Sequence, residues 1–517
     1  MAESFLFSTA ESLIAKLASR AFQEVSRVVD LYDDLQDLTN TLSLVKAVLL
    51  DAQQKHEHNN ELRQWLIQLK TVFSAAEDVL DEFECQTLRK KVVKVHGSTK
   101  DKVSHFFSTS NPLIFRYKMA QQIKDISSIL DKVAADRHKF SLQIIDVDQR
   151  VVRRRDMTYS RVSDSDVVGR KYDKEKITEH LMQQNPKNDD TKNILLGNLV
   201  TKKSAVVRTV MFPNGVAAAN CEAILKTFLG KFKCLRVLDL SRATFETLPR
   251  NISKLKHLRY LDISKNPNIK RLPDSICKLQ SLQVLMLDGC TELEALPKGL
   301  RKLISLRDFS FCTKQTVFPV NEIAKLRSLE LFTVESCHNV ESMFGGVNFP
   351  IIRTLHVSDC RSLKSLGLDG QNFPQLEALI VEKCNNLDLE LWNGQHEEER
   401  SKLKLKLLSF YGLSQLMALP KWIQEADNSL QCLYVSNCHN IETLPDWLTT
   451  LTDLKTLTII DCPKLVSLPD NIDHLSSLQN LRIQGCADLF EKYEPHMGEF
   501  WPKISHIENI LIDEPEA

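Results

Sequence analysis

The sequence predicts a multidomain chain, an N-terminal all-α four-helix bundle followed by an α/β leucine-rich-repeat solenoid of parallel strands. Three observations carry that reading. Apolar residues recur at alternating four-three spacing over the N-terminal quarter, in short runs separated by breakers. A Leu-x-x-Leu-x-Leu pattern then returns at a steady interval over more than half of the chain. The stretch between the two is too short to be an average domain. The expected boundaries are 1–145 for the bundle, 146–212 for a linker, 213–495 for the solenoid and 496–517 for a tail.

Composition narrows the function classes. A chain of 517 residues buries a sizeable core. Lysine plus arginine and aspartate plus glutamate both number 67, so net charge points to neither nucleic acid nor an anionic membrane as a global partner. The start, Met1-Ala2-Glu3-Ser4-Phe5, lacks a basic region, so no signal peptide is expected. No apolar run reaches the ~18 residues of a spanning helix. Thirteen cysteines, most recurring with the repeat, suggest buried reduced thiols in a cytoplasmic protein rather than a disulfide framework.

Helix one is expected over Ser4 to Arg27 on the stripe Phe5, Leu6, Leu13, Ile14, Leu17, Ala21 and Val25. Helix two carries Leu31, Leu35, Leu38, Leu42, Val45, Leu49 and Ala52, and Asn59-Asn60 breaks it. Helix three repeats the spacing with Leu62, Leu66, Leu69, Phe73, Ala76, Leu80 and Phe83. After Asn111-Pro112 comes a fourth run, Met119, Ile123, Ile126, Leu130 and Val133. Runs of two or three heptads suit an antiparallel bundle better than a long dimeric coiled coil, which stays open. Helix one either packs its stripe on the other three or lies at a membrane surface.

Helix three bears an acidic run, Glu77, Asp78, Asp81, Glu82 and Glu84, off the Leu80/Phe83 seam and so expected to point outward. The run is either a solvated face or, because like charges at this spacing repel, a surface that a basic partner relieves. Arg153-Arg154-Arg155 reads as a solvated linker, with a basic targeting patch as the weaker reading.

The repeat begins at Leu235, Leu258, Leu282, Leu306, Leu329, Ile352, Leu376, Leu405, Leu430, Leu454 and Leu478, the leucine-rich-repeat period. Each unit supplies a short parallel strand whose leucines enter a core made only by stacking. Position nine holds Asn266, then Cys290, Cys337, Cys360, Cys384, Cys438, Cys462 and Cys486, small donors suited to the turn leaving each strand. Their spacing, without Cys-x-x-Cys or paired histidines, argues against zinc. Leu-Pro pairs such as Leu248-Pro249 and Leu444-Pro445 end strands and start the return.

Residues alternating with the strand leucines face the concave side, where solenoids bind partners. They include Asp239, Asp262, Met286 and Asp288, then Glu335, His356, Ile380, Glu382, Tyr411, Tyr434 and Arg482. A mixed surface with tyrosine anchors suits a protein ligand and not nucleic acid. Gly-x-Ser-x-Gly, His-Glu-x-x-His and Gly-x-Gly-x-x-Gly do not occur, so no catalytic or metal site is expected. His56-Glu57-His58 falls in an expected interhelix turn.

Several stretches together resemble plant intracellular disease resistance proteins with a coiled coil, a nucleotide-binding switch and leucine-rich repeats, of the resistance-gene-analogue type. Glu77-Asp78-Val79-Leu80-Asp81 resembles that family's acidic motif, and Arg63-Gln64-Trp65-Leu66 fits the same helix. Asp166-Val167-Val168-Gly169-Arg170 is similar to the opening of its nucleotide-binding domain. Leu235-Arg236-Val237-Leu238-Asp239-Leu240 and the matching run from Leu258 look like its first repeats, and the tail from Gly498 to His506 like its ending. The resemblance implies that Glu77, Asp78 and Asp81 contact arginines of early repeats, here Arg236, Arg259 and Arg307. It also implies a first helix released to the membrane on activation, although the Met1-Ala2-Glu3 start matches only loosely.

One departure stands out. Family members bind ADP or ATP through Gly-x-x-x-x-Gly-Lys-Ser/Thr, whose amides cradle phosphate; the sequence contains no such run. The linker thus reads as the vestigial start of a nucleotide-binding domain, the rest removed by splicing or gene rearrangement, and no cofactor is expected. The leading expectation is a non-enzymatic innate-immunity recognition protein for a pathogen or host protein, with association through its bundle with full-length relatives. The alternatives are a working ADP/ATP switch, a decoy or regulatory scaffold, and a product with no activity of its own.

Overall fold

A computed structural model of the chain describes residues 4–19, 32–55, 59–96, 112–140, 142, 207–211, 229, 231–243, 245–389, 403–426 and 428–513. The expectations for 20–31, for His56–His58, for Arg153–Arg155 and for the motif 166–170 lie outside these residues. The chain divides into two compact units, one helical and one built on a parallel sheet.

The helical unit is formed from α1 (Ser4–Ala18), α2 (Tyr32–Lys55), α3 (Asn60–His96) as far as Thr87, and α4 (Pro112–Ala135). Asn59 sets the start of α3, its Oδ1 accepting from the N–H groups of Glu61 and Leu62 at 2.9 and 3.0 Å. Pro112 opens α4, where its missing N–H costs nothing. Leu13 and Leu17 of α1, Leu42 and Leu49 of α2, Leu69 and Phe73 of α3, and Met119 and Leu130 of α4 share one core. Fully burying each such side chain contributes about 1.5–3 kcal/mol. The Trp65 indole N–H donates to Val133 O at 2.7 Å, satisfying the one polar atom that this buried ring carries. Because all four stripes enter a single core, the helices form a bundle, as the spacing predicts.

Among the described residues thirteen strands form the sheet of the second unit: β1 (Thr209–Met211), β2 (Val237–Asp239), β3 (Tyr260–Asp262), β4 (Val284–Leu287), β5 (Asp308–Phe311), β6 (Leu331–Glu335), β7 (Thr354–Ser358), β8 (Ala378–Glu382), β9 (Leu407–Tyr411), β10 (Cys432–Ser436), β11 (Thr456–Ile460), β12 (Asn480–Gln484) and β13 (Asn509–Asp513). They pair in chain order, every pair parallel. The sheet reaches past the repeats read from the leucine pattern, with β1 inside the stretch taken as linker and β13 inside the tail. Neither strand carries the full repeat; ladder bonding to a neighbour recruits them, as when Asn509 N–H donates to Gln479 O at 2.9 Å.

Most strand exits are built by the small residue of position nine. Asn266 is fully buried and its amide donates to Leu240 O, Ile263 O and Ser264 O at 3.0, 2.8 and 3.1 Å. Cysteines do the same more weakly: Cys290 Sγ donates to Ile263 O at 3.2 Å and Cys462 Sγ to Val435 O at 3.8 Å. Burial pushes the Cys290 thiol up to about 12, so it stays a protonated donor. Just before position nine the backbone turns left-handed, at Lys265, Asp359, Asn437 and Asp461 as well as at Gly289 and Gly485. Prolines 249, 273 and 445 precede the short 3-10 turns of the return, and Pro249 O accepts from Ile252 N–H at 3.1 Å.

Candidate functional site

Strand register sorts the repeat side chains into columns. The second and fourth strand positions point inward: Leu238, Leu261, Leu285, Phe309 and Leu355 form one buried column, and Leu240, Ile263, Leu287 and Phe311 open the next. The first, third and fifth positions point the other way, onto the face expected to recognise partners.

The third column runs Asp239, Asp262, Met286, Ser310, Thr333, His356, Ile380, Ser409, Tyr434, Thr458 and Arg482. The fifth holds Glu335, Ser358, Glu382 and Tyr411 on β6 to β9. Asp262, His356 and Tyr434 thus share one column, and Glu335, Glu382 and Tyr411 the next. Between them, His356 Nε2 lies 3.4 Å from Glu382 Oε1. The Lys383 ammonium sits 5.5 Å from the centre of the Tyr411 ring. Arg482 stays exposed and donates to Gln484 Oε1 at 2.8 Å.

Two aspartates do a second job. Asp239 and Asp262 each accept, through Oδ1, the N–H two residues on, from Ser241 at 2.9 Å and Ser264 at 2.8 Å. They therefore close the strand exit as well as lining the face. Burial raises the Asp262 carboxyl above its ordinary range, opposed by the bonds from Ser264 and helped by the charges of Asp239 and Asp288. Asp288 is a correction to the expected surface: it is 8% exposed, and its Oδ1 accepts from the Ser310 hydroxyl at 2.7 Å. A carboxylate bonded to the neighbouring strand and covered this far is part of the fold.

The acidic run of α3 also differs from expectation. Glu77 and Asp78 are half-buried, and Asp81 is buried at 4% exposure. Its Oδ1 lies 2.6 Å from the Lys16 ammonium of α1, which also reaches Glu84 Oε2 at 2.8 Å. Asp81 borders the core seam closely enough for α1 to cover it. Nothing in the sequence marks Lys16, 65 residues away, as its partner.

Arg236, Arg259 and Arg307 occupy one column immediately before the strands. Their backbones are strung by hydrogen bonds: Arg236 O accepts from Arg259 N–H at 2.8 Å, and Gln283 O from Arg307 N–H at 2.8 Å. Arg208 extends the column by one strand, accepting from Arg236 N–H at 2.7 Å. It lies outside the leucine pattern, which is why the sequence does not reveal it.

Comparison with known proteins agrees with this division. The Rx N-terminal domain matches residues 9–117, a leucine-rich repeat region residues 215–427 and a further Leucine Rich Repeat residues 429–451. The chain is thus similar to an Rx N-terminal domain in its first part and to leucine-rich repeats in its second. Its relatives are plant disease resistance proteins. Disease resistance protein RGA2 of Solanum bulbocastanum is 29% identical over 182 residues, 35% of this chain and 17% of that protein. Putative disease resistance protein RGA1 of the same species is 31% identical over the same lengths. Probable disease resistance protein RXW24L of Arabidopsis thaliana is 28% identical over 179 residues, 33% of this chain and 19% of that protein. The chain thus matches less than a fifth of the length of each. Among solved structures, the leucine-rich-repeat protein LIC12759 of Leptospira interrogans is 22% identical, with a TM-score of 0.29, over 54% of this chain and 80% of its own. The fold assignment rests on the sheet itself. Among the described residues no helix is long and apolar enough to cross a membrane, and no cluster of ligating side chains could hold a metal ion.

Proposed function

We propose that this chain is a cytoplasmic recognition protein of plant innate immunity that binds a pathogen- or host-derived protein on the outward columns of its repeat sheet. The observation that carries the reading is the arrangement of Glu335, His356, Glu382, Tyr411 and Tyr434 on adjacent strands of one face, in a chain whose residues 9–117 match the Rx N-terminal domain. Aromatic side chains among polar ones give large contact area at small entropic cost, the composition of protein-binding hot spots. Alanine at Tyr411 and Tyr434 should abolish co-purification of a partner from infected plant tissue while leaving the fold intact. Undiminished capture by that double variant sinks this placement of the site.

The chain acts without a nucleotide switch, because its sequence lacks the phosphate-cradling glycine loop. It therefore serves as a decoy or scaffold for full-length relatives, which it meets through the helical unit. Calorimetry with ADP on the full chain is expected to give no heat of binding. Micromolar affinity would overturn this in favour of a working switch.

In this reading Glu77 and Asp78 supply the acidic half, and Arg236, Arg259 and Arg307 the basic half, of an association between the helical unit and the repeats. Because Asp81 already holds Lys16 in the bundle, the cleaner test reverses only Glu77 and Asp78. Association of the co-expressed halves should fall with Glu77→Lys and Asp78→Lys and recover with Arg236→Glu and Arg259→Glu. The resemblance also implies release of α1 to a membrane, which liposome flotation of the full chain tests.

A further inference from the structure

The last strand of the sheet leaves its core positions open. On β12 the second and fourth positions, Leu481 and Ile483, are 1% and 0% exposed. The matching residues of β13, Ile510 and Ile512, are only half-buried, and Leu511 between them is 46% exposed. Among the described residues no strand lies beyond β13.

The parallel ladder also decides which backbone groups face that edge. Asn509 N–H points back to Gln479 O, and interior strands show the complementary rule: Leu240 N–H, at a fourth position, donates forward to Asp262 O at 2.8 Å. In β13 the N–H and C=O of Ile510 and Ile512 therefore point outward. Soluble proteins usually blunt such an edge with lysine, proline or a bulge. Asn509-Ile510-Leu511-Ile512-Asp513 has none of these, and it is nearly a palindrome in residue type.

We propose that β13 pairs with β13 of a second copy of this chain, antiparallel about a twofold axis at Leu511. In that register Ile510 stands opposite Ile512 of the other copy and Asn509 opposite its Asp513, an uncharged amide against a carboxylate. Both Ile510–Ile512 pairs are hydrogen-bonded pairs, exchanging four backbone bonds in total through the groups that already point outward. Leu511 meets its own copy at the non-bonded site, where Cα atoms approach to about 4.5 Å and side chains pack closely. The half-open isoleucines gain cover from the partner's strand. Self-pairing also closes after two copies, whereas β13 against β1 of another copy would propagate without end and would set five residues against three. The dimer is independent of what the outward columns bind.

Sedimentation of the full chain over a wide concentration range tests this. The wild type is expected to pass from monomer to dimer. Leu511→Lys and Leu511→Glu each place like charges face to face at the axis and should weaken association by about tenfold or more. Far-UV circular dichroism should not change, because Leu511 is exposed and outside the core. Mixing the two variants in equal amounts should restore the dimer, since lysine then faces glutamate. A wild type that stays monomeric throughout overturns the proposal. So does a dimer that Leu511→Lys leaves intact, or a mixture that fails to recover.

Discussion

The Lys16 ammonium lies 2.6 Å from Oδ1 of Asp81, joining the first helix of the bundle to the third across 65 residues of chain. Asp81 is buried while Lys16 keeps some solvent contact, so most of the desolvation cost falls on the carboxylate. Lys16→Ala is therefore expected to destabilise the helical unit by about 1–3 kcal/mol. The helical circular dichroism signal followed through urea unfolding reports it. In an Asp81→Asn background the same change should cost clearly less, and equal costs in both backgrounds would show that the pair is not coupled.

Asn266 carries the most heavily bonded strand exit among the described repeats, with three donations to backbone oxygens. Asn266→Ala leaves those buried carbonyls short of a donor and should cost about 2–3 kcal/mol. Asn266→Cys, the residue at this place in most later repeats, should recover part of that loss. Hydrogen exchange at β2 and β3 should rise in the alanine variant first, because stacked repeats open locally.

Glycines at left-handed positions differ in what surrounds them. A Cβ on Gly485, at φ +64°, would run into the Asp461 carboxylate, whereas one on Gly299, at φ +91°, meets only the Lys302 side chain at 3.8 Å. Both Gly→Ala changes carry backbone strain of roughly 1–2 kcal/mol. Gly485→Ala adds a steric conflict and should lower the thermal midpoint further than Gly299→Ala. Equal shifts would mean that Asp461 moves aside freely.

The Asp262 carboxyl has a pH signature. Its folded value is raised, first by burial and then by Asp239 and Asp288, so the folded chain holds this proton more tightly than the unfolded one. Stability from this group is greatest below the ordinary carboxylate range and is lost as pH rises through the shifted value. Asp262→Asn keeps an acceptor for Ser264 N–H and should stabilise the chain at about pH 7, by no more than a few tenths of a kcal/mol because solvent screens the site. At about pH 3 the variant and the wild type should unfold together. Denaturation at the two pH values decides it.

Periodicity alone determined the four helices and the repeat strands from Leu235 onward, because helical stripes and stacked leucines are local patterns with a fixed period. It also determined which residues share the outward face: the Leu-x-Leu alternation that buries Leu238 and Leu240 turns Asp239 outward. Tertiary structure alone decided what those residues touch. Asp81 became a bundle residue through Lys16, Asp288 became a strand-to-strand contact through Ser310, and Asp262 became a turn residue through Ser264. The strands β1 and β13 likewise formed on a neighbour's ladder, with no leucine pattern of their own. The physical reason is the same throughout. Apolar burial is set by each residue's place in a repeating pattern, whereas the fate of a charge or a free ladder edge depends on which atoms of distant segments arrive within hydrogen-bond reach.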